Sequence, residues 1–392
     1  LLNPERAHPE ALAALRRSGG RVAACHEVAV GEADVVLDGI VGLSARGPLR
    51  QHAAALVERI TAPVLAVDLP SGVDPDTGVV DGPAVRARET VTFGGRKPGL
   101  VLGEGAVRSG RVHVVDIGLD LPAPDLNMLQ AADVGKYWPV PGPDSDKYSQ
   151  GVLGVAAGSA RYPGAAVLST GGAVLATSGM VRFAGPAAEA VLARWPEVIA
   201  TGTVADVGRV QGWMVGPGLG TGDAAREVLT RLLDTGVPVC LDADALTVLA
   251  RFPQVLDARQ PGTPLVLTPH AGEFARLAGE VGADRVAAAR AAARRFDAVL
   301  LLKGHTTVVA APDGRVLVNP RRSAWPATAG SGDVLSGILG ALLACGLDPW
   351  LAAGCAAYVH SLAADLAAGG APAPASRILE GIPAAIRTVR LC

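Results

Sequence analysis

Apolar and polar positions change rhythm several times along the chain. In PEALAALRRSGG (residues 9–20) apolar residues recur at helical spacing, and the run stops at Gly19-Gly20, as C-terminal glycines stop helices. ADVVLDGIVG, APVLAVDLPSG, ETVTFGG and RVHVVDIG are short apolar runs ending in polar or glycine residues. A helical segment, LRQHAAALVERI, lies between the first two. This order predicts alternating strands and helices, and so a parallel sheet.

From about Leu119 to Gln150 the rhythm is lost to Pro, Asp and Ser, in LDLPAPDLNML and WPVPGPDSDKYSQ. The composition predicts a linker over 121–146, joining a first domain (1–120) to a second (147–392). The rhythm then restarts. GVLGVAAGS, GWMVGPG, VPVCLDAD, TPLVLTP and AVLLLKG read as strands with helices between them. TTVVAAPDGRVLVNP reads as a hairpin turning at Pro312-Asp313-Gly314. Two helices, Gly332 to Cys345 and Pro349 to about Ala367, are expected to finish the domain. The fold class is α/β, in two domains.

Composition narrows the picture. Hydrophobic residues make up 49% of the 392, charged residues 18% and aromatics only 4%. That palette of Ala, Val, Gly and Leu suits buried parallel strands and close-packed helices rather than a β-sandwich. The net charge of -2, without blocks of like charge, gives no reason to expect nucleic acid or a membrane as partner. No apolar run reads as long enough to span a bilayer, and no signal peptide is visible. Five scattered cysteines without CxxC spacing read as reduced thiols of a cytoplasmic protein. Leu1 in place of Met reads as the start of a fragment or processed product.

Candidate chemistry begins at WPATAGSGDVLSG, residues 325–337. Gly330, Ser331 and Gly332 precede an apolar-periodic segment and so are expected to form a helix N-terminus. The first N–H groups of a helix lack internal partners, and glycines let a phosphate approach them. A carboxylate there, Asp333, can cap the helix. It can also take a proton from a hydroxyl held over the anion hole, which is the chemistry of phosphoryl transfer. Other strand ends add polar groups: Lys303-Gly304, the glycine turn VGPGLG, Asp242 and Asp244 in LDADAL, and His270 and Glu273 in TPHAGE. Each alone suits an ordinary turn or a structural histidine. Together they lie at the edge where open α/β sheets bind ligands.

GSARYPGAAVLS, GPGLG, LDADAL, LTPHAGE, LLKGHTTVV and ATAGSGDVLSG, in that order, resemble the ribokinase-like domain of NAD(P)H-hydrate dehydratases. The resemblance implies that ADP phosphorylates the abnormal ring hydroxyl of hydrated NADH or NADPH, after which phosphate is eliminated. The products are NAD(P)H, AMP and phosphate. Carried over by motif, Asp333 is the base and Gly330 to Gly332 form the anion hole. Lys303, Gly304, His305, Thr306, Thr307 and Gly332 contact the nucleotide. Ala165, Gly218, His270 and Asp333 contact the hydrate. Mg²⁺ is expected with the phosphates, held by substrate and water. The link NPRRSAWPATAG, with Arg321, Arg322 and Trp325, departs from the family's glycine-rich, methionine-containing one.

VVLDGIVG, AVDLPSGVDPDTG and TVTFGGRKPGL resemble the Rossmann-like NAD(P)H-hydrate epimerase domain of the same bifunctional enzymes, which interconverts the two hydrate epimers. By motif, Asp38 and Ser71 help to bind potassium (K⁺). Asp68 and the loop Gly42, Leu43, Ser44, Ala45, Arg46, Gly47 and Pro48 contact the hydrate, and Lys97 is a further candidate. The family's glycine- and asparagine-rich signature would lie before Leu1. The resemblance therefore implies a domain incomplete at its N-terminus, an incomplete epimerase site in this chain, and both reactions in the full-length protein. It also implies a homo-oligomer. Two alternatives remain at this point. One is a vitamin-precursor kinase of the same fold, which would not be expected to carry the first domain. The other is a nucleotide-binding module with a decayed site, against which Asp333, Lys303 and His270 argue.

Overall fold

The computed structural model describes residues 7–24, 26–177, 179–320, 324–325 and 327–392. The chain divides into two compact units, Leu1–Pro124 and Asp125–Cys392.

The first unit runs α1 (Pro9–Arg17), β1 (Val36–Asp38), α2 (Gln51–Val57), β2 (Val64–Val67), β3 (Glu89–Phe93), α3 (Gly103–Arg108) and β4 (Arg111–Val115). Its four strands lie side by side in chain order, all parallel, as the apolar runs predict. One sheet face is buried through Val64, Ala66, Thr90 and Thr92. The strand ends carry the polar residues: β1 finishes at Asp38, and β2 is followed by Asp68 in a left-handed conformation (φ 72°). A non-glycine residue rarely adopts that geometry, and it marks a constrained corner.

The second unit begins with α4 (Ala131–Tyr137) and β5 (Val152–Ala156), then α5 (Pro163–Ala176), β6 (Met180–Ala184), α6 (Ala188–Arg194) and β7 (Ile199–Thr201). It continues through β8 (Gly212–Val215), α7 (Asp223–Leu233), β9 (Val239–Leu241), α8 (Asp244–Arg251), β10 (Leu265–Leu267), α9 (Ala271–Ala278), α10 (Arg285–Phe296) and β11 (Val299–Leu302). The hairpin β12 (Thr306–Ala310) and β13 (Val316–Pro320) precedes α11 (Ser331–Ala344), α12 (Pro349–Ala368) and α13 (Ala375–Arg390). The nine-stranded sheet has the order β13-β12-β11-β10-β9-β8-β5-β6-β7. Its strands are parallel except at the β11–β12 and β12–β13 pairings.

Helix α11 is buried along nearly its whole length, because small residues let α5 close on it. A Cβ on Gly337 would stand 2.1 Å from the Ser169 carbonyl oxygen, and one on Gly172 would stand 2.4 Å from that of Val334. Glycine is therefore required at both places, and the contact fixes where the N-terminus of α11 points.

Three expectations need correction. Residues 121–146 are not a linker throughout: from Asp125 onward they belong to the second unit, where Val134 of α4 and Trp138 just after it are buried in the core. The apolar content of AADVGKY is low, but two well-placed side chains suffice. A third helix, α13, follows the two expected ones, and β6 and β7 extend the sheet beyond β5. Finally, α12, at 20 residues, contains an 18-residue stretch with a mean hydropathy of 1.3, the length and apolarity of a membrane span, although 67% of that stretch is buried inside the fold.

Candidate active site

The chain reaches β5, runs outward through β6 and β7, and returns to place β8 on the other side of β5. Open α/β sheets leave a crevice at such a reversal, outside the carboxyl ends of the strands. Here it is closed tightly: the Gly158 N–H donates to the Pro217 carbonyl at 2.7 Å. Gly218 (φ 66°) faces Ala165, and a Cβ on the glycine would lie 3.0 Å from that of the alanine. Two of the expected hydrate-binding residues are thus neighbours.

Next to them stands the head of α11. Gly330 begins it in a left-handed conformation (φ 83°) without a side-chain cap. The Ser331 N–H turns back to the Thr328 carbonyl at 3.2 Å, so the N–H groups of Gly332 and Asp333 are the ones left to a ligand or water, and the helix dipole adds partial positive charge. Asp333 sits in that first turn. Burial pushes its carboxyl up to about 7, and the charges of Asp242, Glu273 and Asp244 push the same way against Lys303. An acid held half-ionised near neutrality in a crevice suits proton transfer.

Lys303 follows β11 and reaches into this cluster. Its Nζ donates to Asp242 Oδ1 at 2.7 Å and lies 3.7 Å from Glu273 Oε2. Burial acts to lower its pKa, but the charges of Asp242, then Glu273, outweigh it and hold the group raised and protonated. The Ser336 hydroxyl donates to Asp242 Oδ2 at 2.6 Å. Ala243 between the two aspartates has φ 51°, and Asp244 Oδ2 accepts from the Gly220 N–H at 2.8 Å. One strained corner thus feeds both the lysine and the glycine turn.

A cavity of about 270 Å³ opens beside these groups, lined in part by His270, Lys303, Thr307 and Gly332. Thr306 is buried, His305 exposed, and Gly304 is crowded by Arg285, whose Nη2 donates to the Lys303 carbonyl at 3.1 Å. His270 does structural work as well. It caps α9, its Nδ1 accepting from Gly272 and Glu273 N–H groups, while the Glu273 carboxylate returns to its backbone. Ser331 of the expected glycine turn also lines the cavity, as do Asn319, His360 and Ser361, which were not singled out by the motifs. The signal for the last two was a His-Ser pair inside an otherwise apolar helix. Arg321 and Arg322 lie outside the described residues, and Trp325 is half exposed.

In the first unit Asp38 and Ser71 meet. Asp38 is buried and accepts from the Ser71 N–H and hydroxyl, both at 2.7 Å, and from Ile40 N–H at 3.3 Å. Asp68 pairs with Lys97 at 2.6 Å, and Thr92 donates to the same carboxylate at 3.0 Å. The 42–48 loop is largely exposed, with Arg46 reaching Asp76 at 2.7 Å. Among the described residues no group of three or more His, Cys, Asp or Glu is arranged to hold a metal ion.

Comparison with known proteins adds a second line. A family model for NAD(P)H-hydrate dehydratase matches residues 153–383, and one for the YjeF-related protein N-terminus matches residues 3–99. The chain is 55% identical over 395 residues to the bifunctional NAD(P)H-hydrate repair enzyme Nnr of Mycobacterium leprae, spanning 98% of this chain and 82% of that one. Against the enzyme of the same description from Mycobacterium tuberculosis it is 57% identical over 351 residues, spanning 88% and 72%. A Bacillus subtilis ADP/ATP-dependent NAD(P)H-hydrate dehydratase, co-crystallized with ATP/Mg²⁺, superposes with a TM-score of 0.61 at 28% identity. The match covers 67% of this chain and 98% of that one. A ribokinase-like superfamily protein of Enterococcus faecalis shares the fold, with a TM-score of 0.62 at 22% identity over 69% of this chain and 99% of that one.

Proposed function

Since the chain belongs to the family of bifunctional NAD(P)H-hydrate repair enzymes, we propose a division of labour among its residues in the repair of hydrated NADH and NADPH. The second unit, a ribokinase-like domain, is an ADP-dependent NAD(P)H-hydrate dehydratase. Water leaves carbon poorly and phosphate leaves it well, so a kinase site can drive a dehydration.

Asp333 takes the proton of the ring hydroxyl as that oxygen attacks the terminal phosphorus of ADP. The phosphorus–oxygen bond to AMP breaks as the new one forms. The anion hole at Gly330 to Gly332 receives the equatorial oxygens of the transferring group, with the Gly332 N–H as a free donor and the Ser331 N–H held by the Thr328 carbonyl. The phosphate ester then leaves with its bonding electrons, electron density from the ring nitrogen fills the gap, and loss of a ring proton restores NAD(P)H. Lys303 through Thr307, with Gly332, hold the nucleotide. Ala165, Gly218 and His270 hold the hydrate against Asp333. The observation that carries this assignment is a carboxyl with a pKa of about 7 in an uncapped glycine turn beside a cavity.

Mg²⁺ neutralises phosphate charge when bound. With no protein cage of three such ligands among the described residues, phosphate oxygens and water are its natural donors. In the Rossmann-like first unit, Asp38 and Ser71 offer oxygen donors of the type a potassium ion prefers, and Asp68 with the 42–48 loop contacts the hydrate for epimerisation. The protein works as a homo-oligomer in the cytoplasm, where thiols such as the free Cys240 and Cys355 stay reduced. The assay is direct: chain, NADH hydrate, ADP and Mg²⁺ are incubated, and the absorbance of reduced nicotinamide returns. No return with a folded chain overturns the assignment.

A further inference from the structure

Asp242 follows β9 with 1% of its surface exposed. The scheme above gives it no task, yet side chains from two other elements converge on it. Lys303 Nζ donates to one carboxylate oxygen at 2.7 Å, and Ser336 Oγ, one turn into α11, donates to the other at 2.6 Å. Ser336 Oγ also lies 3.0 Å from the Gly332 carbonyl oxygen, inside the glycine turn. A Cβ on Gly332 would stand 3.4 Å from Lys303 Nζ and 3.8 Å from Asp242 Oδ2. Ammonium, carboxylate and glycine turn are therefore in near contact. A carboxylate this deeply buried stays in place only while both oxygens have donors.

We propose that Asp242 is a positioning residue for phosphoryl transfer: its carboxylate clamps Lys303 to the first turn of α11 and so fixes the ammonium relative to Asp333. The role rests on Asp333 being the base. The charge of Asp242 has a second consequence. The groups acting on Asp333 come from four elements: Asp242 after β9, Asp244 on α8, Glu273 on α9 and Lys303 after β11. His270 and His360 face the neighbouring cavity. After burial, Asp242 is the largest of the influences that hold Asp333 protonated, and Lys303 opposes it. With Asn at 242 the like charge is gone, and Lys303 turns to the carboxylates that remain. Both changes let Asp333 ionise at lower pH while the ammonium loses its fixed place.

The test uses the full chain and follows kcat for NADH hydrate, with ADP and Mg²⁺, from about pH 5.5 to about pH 9. For Asp242→Asn the acid limb moves down by about one pH unit. Its plateau falls by about tenfold or more as Lys303 loses its alignment. Asp242→Glu, which keeps the charge but not the length, lowers the plateau and leaves the limb in place. A limb at the parental position in Asp242→Asn overturns the proposal, whatever happens to Tm. Should that variant not fold, Ser336→Ala removes one arm of the clamp. Its kcat drops by about fivefold with the KM for hydrate unchanged, and a parental kcat overturns the proposal. Asp333→Asn run in parallel separates the two levels. Parental activity there sinks the base assignment itself, whereas an inactive Asp333→Asn beside an unshifted Asp242→Asn sinks only the clamp.

Discussion

His360 Nε2 and Ser331 Oγ lie 3.1 Å apart, both buried, so the residue that starts α11 is tied to α12 behind it. Ser331 contributes one of the first-turn N–H groups, and the imidazole also lines the cavity. Replacing His360 with Ala strands the hydroxyl and enlarges the cavity. The expected cost is about 1–3 kcal/mol of stability, read by denaturant unfolding. A rise in the KM for ADP larger than that for the hydrate is expected alongside it. Equal KM values for both substrates in parent and variant would count against a role at the nucleotide.

Asp333→Asn keeps the shape of the site and removes the base. Turnover is expected to fall by about 10²–10⁴-fold, while calorimetric titration with ADP finds nearly parental affinity. Turnover at the parental rate would reduce Asp333 to a residue of the helix start.

The pH profile follows from the direction of the shift. Asp333 must be ionised to accept a proton, and its pKa is raised from 3.8 to about 7. Activity is therefore expected to climb as pH rises through 7. Stability runs the other way. Between the two values the folded chain holds a proton that the unfolded chain has lost, so this group's favourable contribution is full below about 4 and lost as pH rises through 7. Asp333→Asn should then unfold at a higher temperature than the parent at about pH 8, with the gain shrinking toward about pH 4. Scanning calorimetry at the two values checks this; a gain independent of pH would contradict it.

The two glycines of the turn should fail differently. Gly330 has φ 83°, and a Cβ there would meet Leu168 Cδ1 at 2.5 Å. Gly330→Ala is expected to cost about 1–3 kcal/mol, seen as a lowered urea midpoint. Gly332 lies within α11 without a positive φ, and its Cβ would meet Lys303 Nζ at 3.4 Å. Gly332→Ala should fold normally and raise the KM for ADP. If both variants lose only stability, the turn has no part in nucleotide binding.

Much of the site could be read from strand ends, because a strand that stops in glycine and a polar residue announces itself locally. Lys303, His270 and the GPGLG turn lie where that rule puts them, and Asp333 lies in the first turn of the helix that its glycine run announces. His360 and Asn319 gave no such sign, since their place depends on how α12 packs against α11 and β13, a long-range matter. Strand β6 was hidden by Arg182, whose charge interrupts MVRFA. Its guanidinium donates to the Val207 carbonyl at 2.6 Å, which lets it lie along a sheet. Pro383 within α13 broke the helical signal there, although seven residues of that helix are buried. Over 121–146, composition spoke for a linker while Val134 and Trp138 were enough to seat a helix.

The bend at Ala243 has a consequence for how this molecule could change over time. Two adjacent acids leave it for separate duties, one toward Lys303 and one toward Gly220. A single inserted or deleted residue at that bend would disconnect both duties together. Drift in this loop is therefore confined to substitution, with length held constant, and a glycine in place of Ala243 is the exchange that would relax the corner without moving either acid.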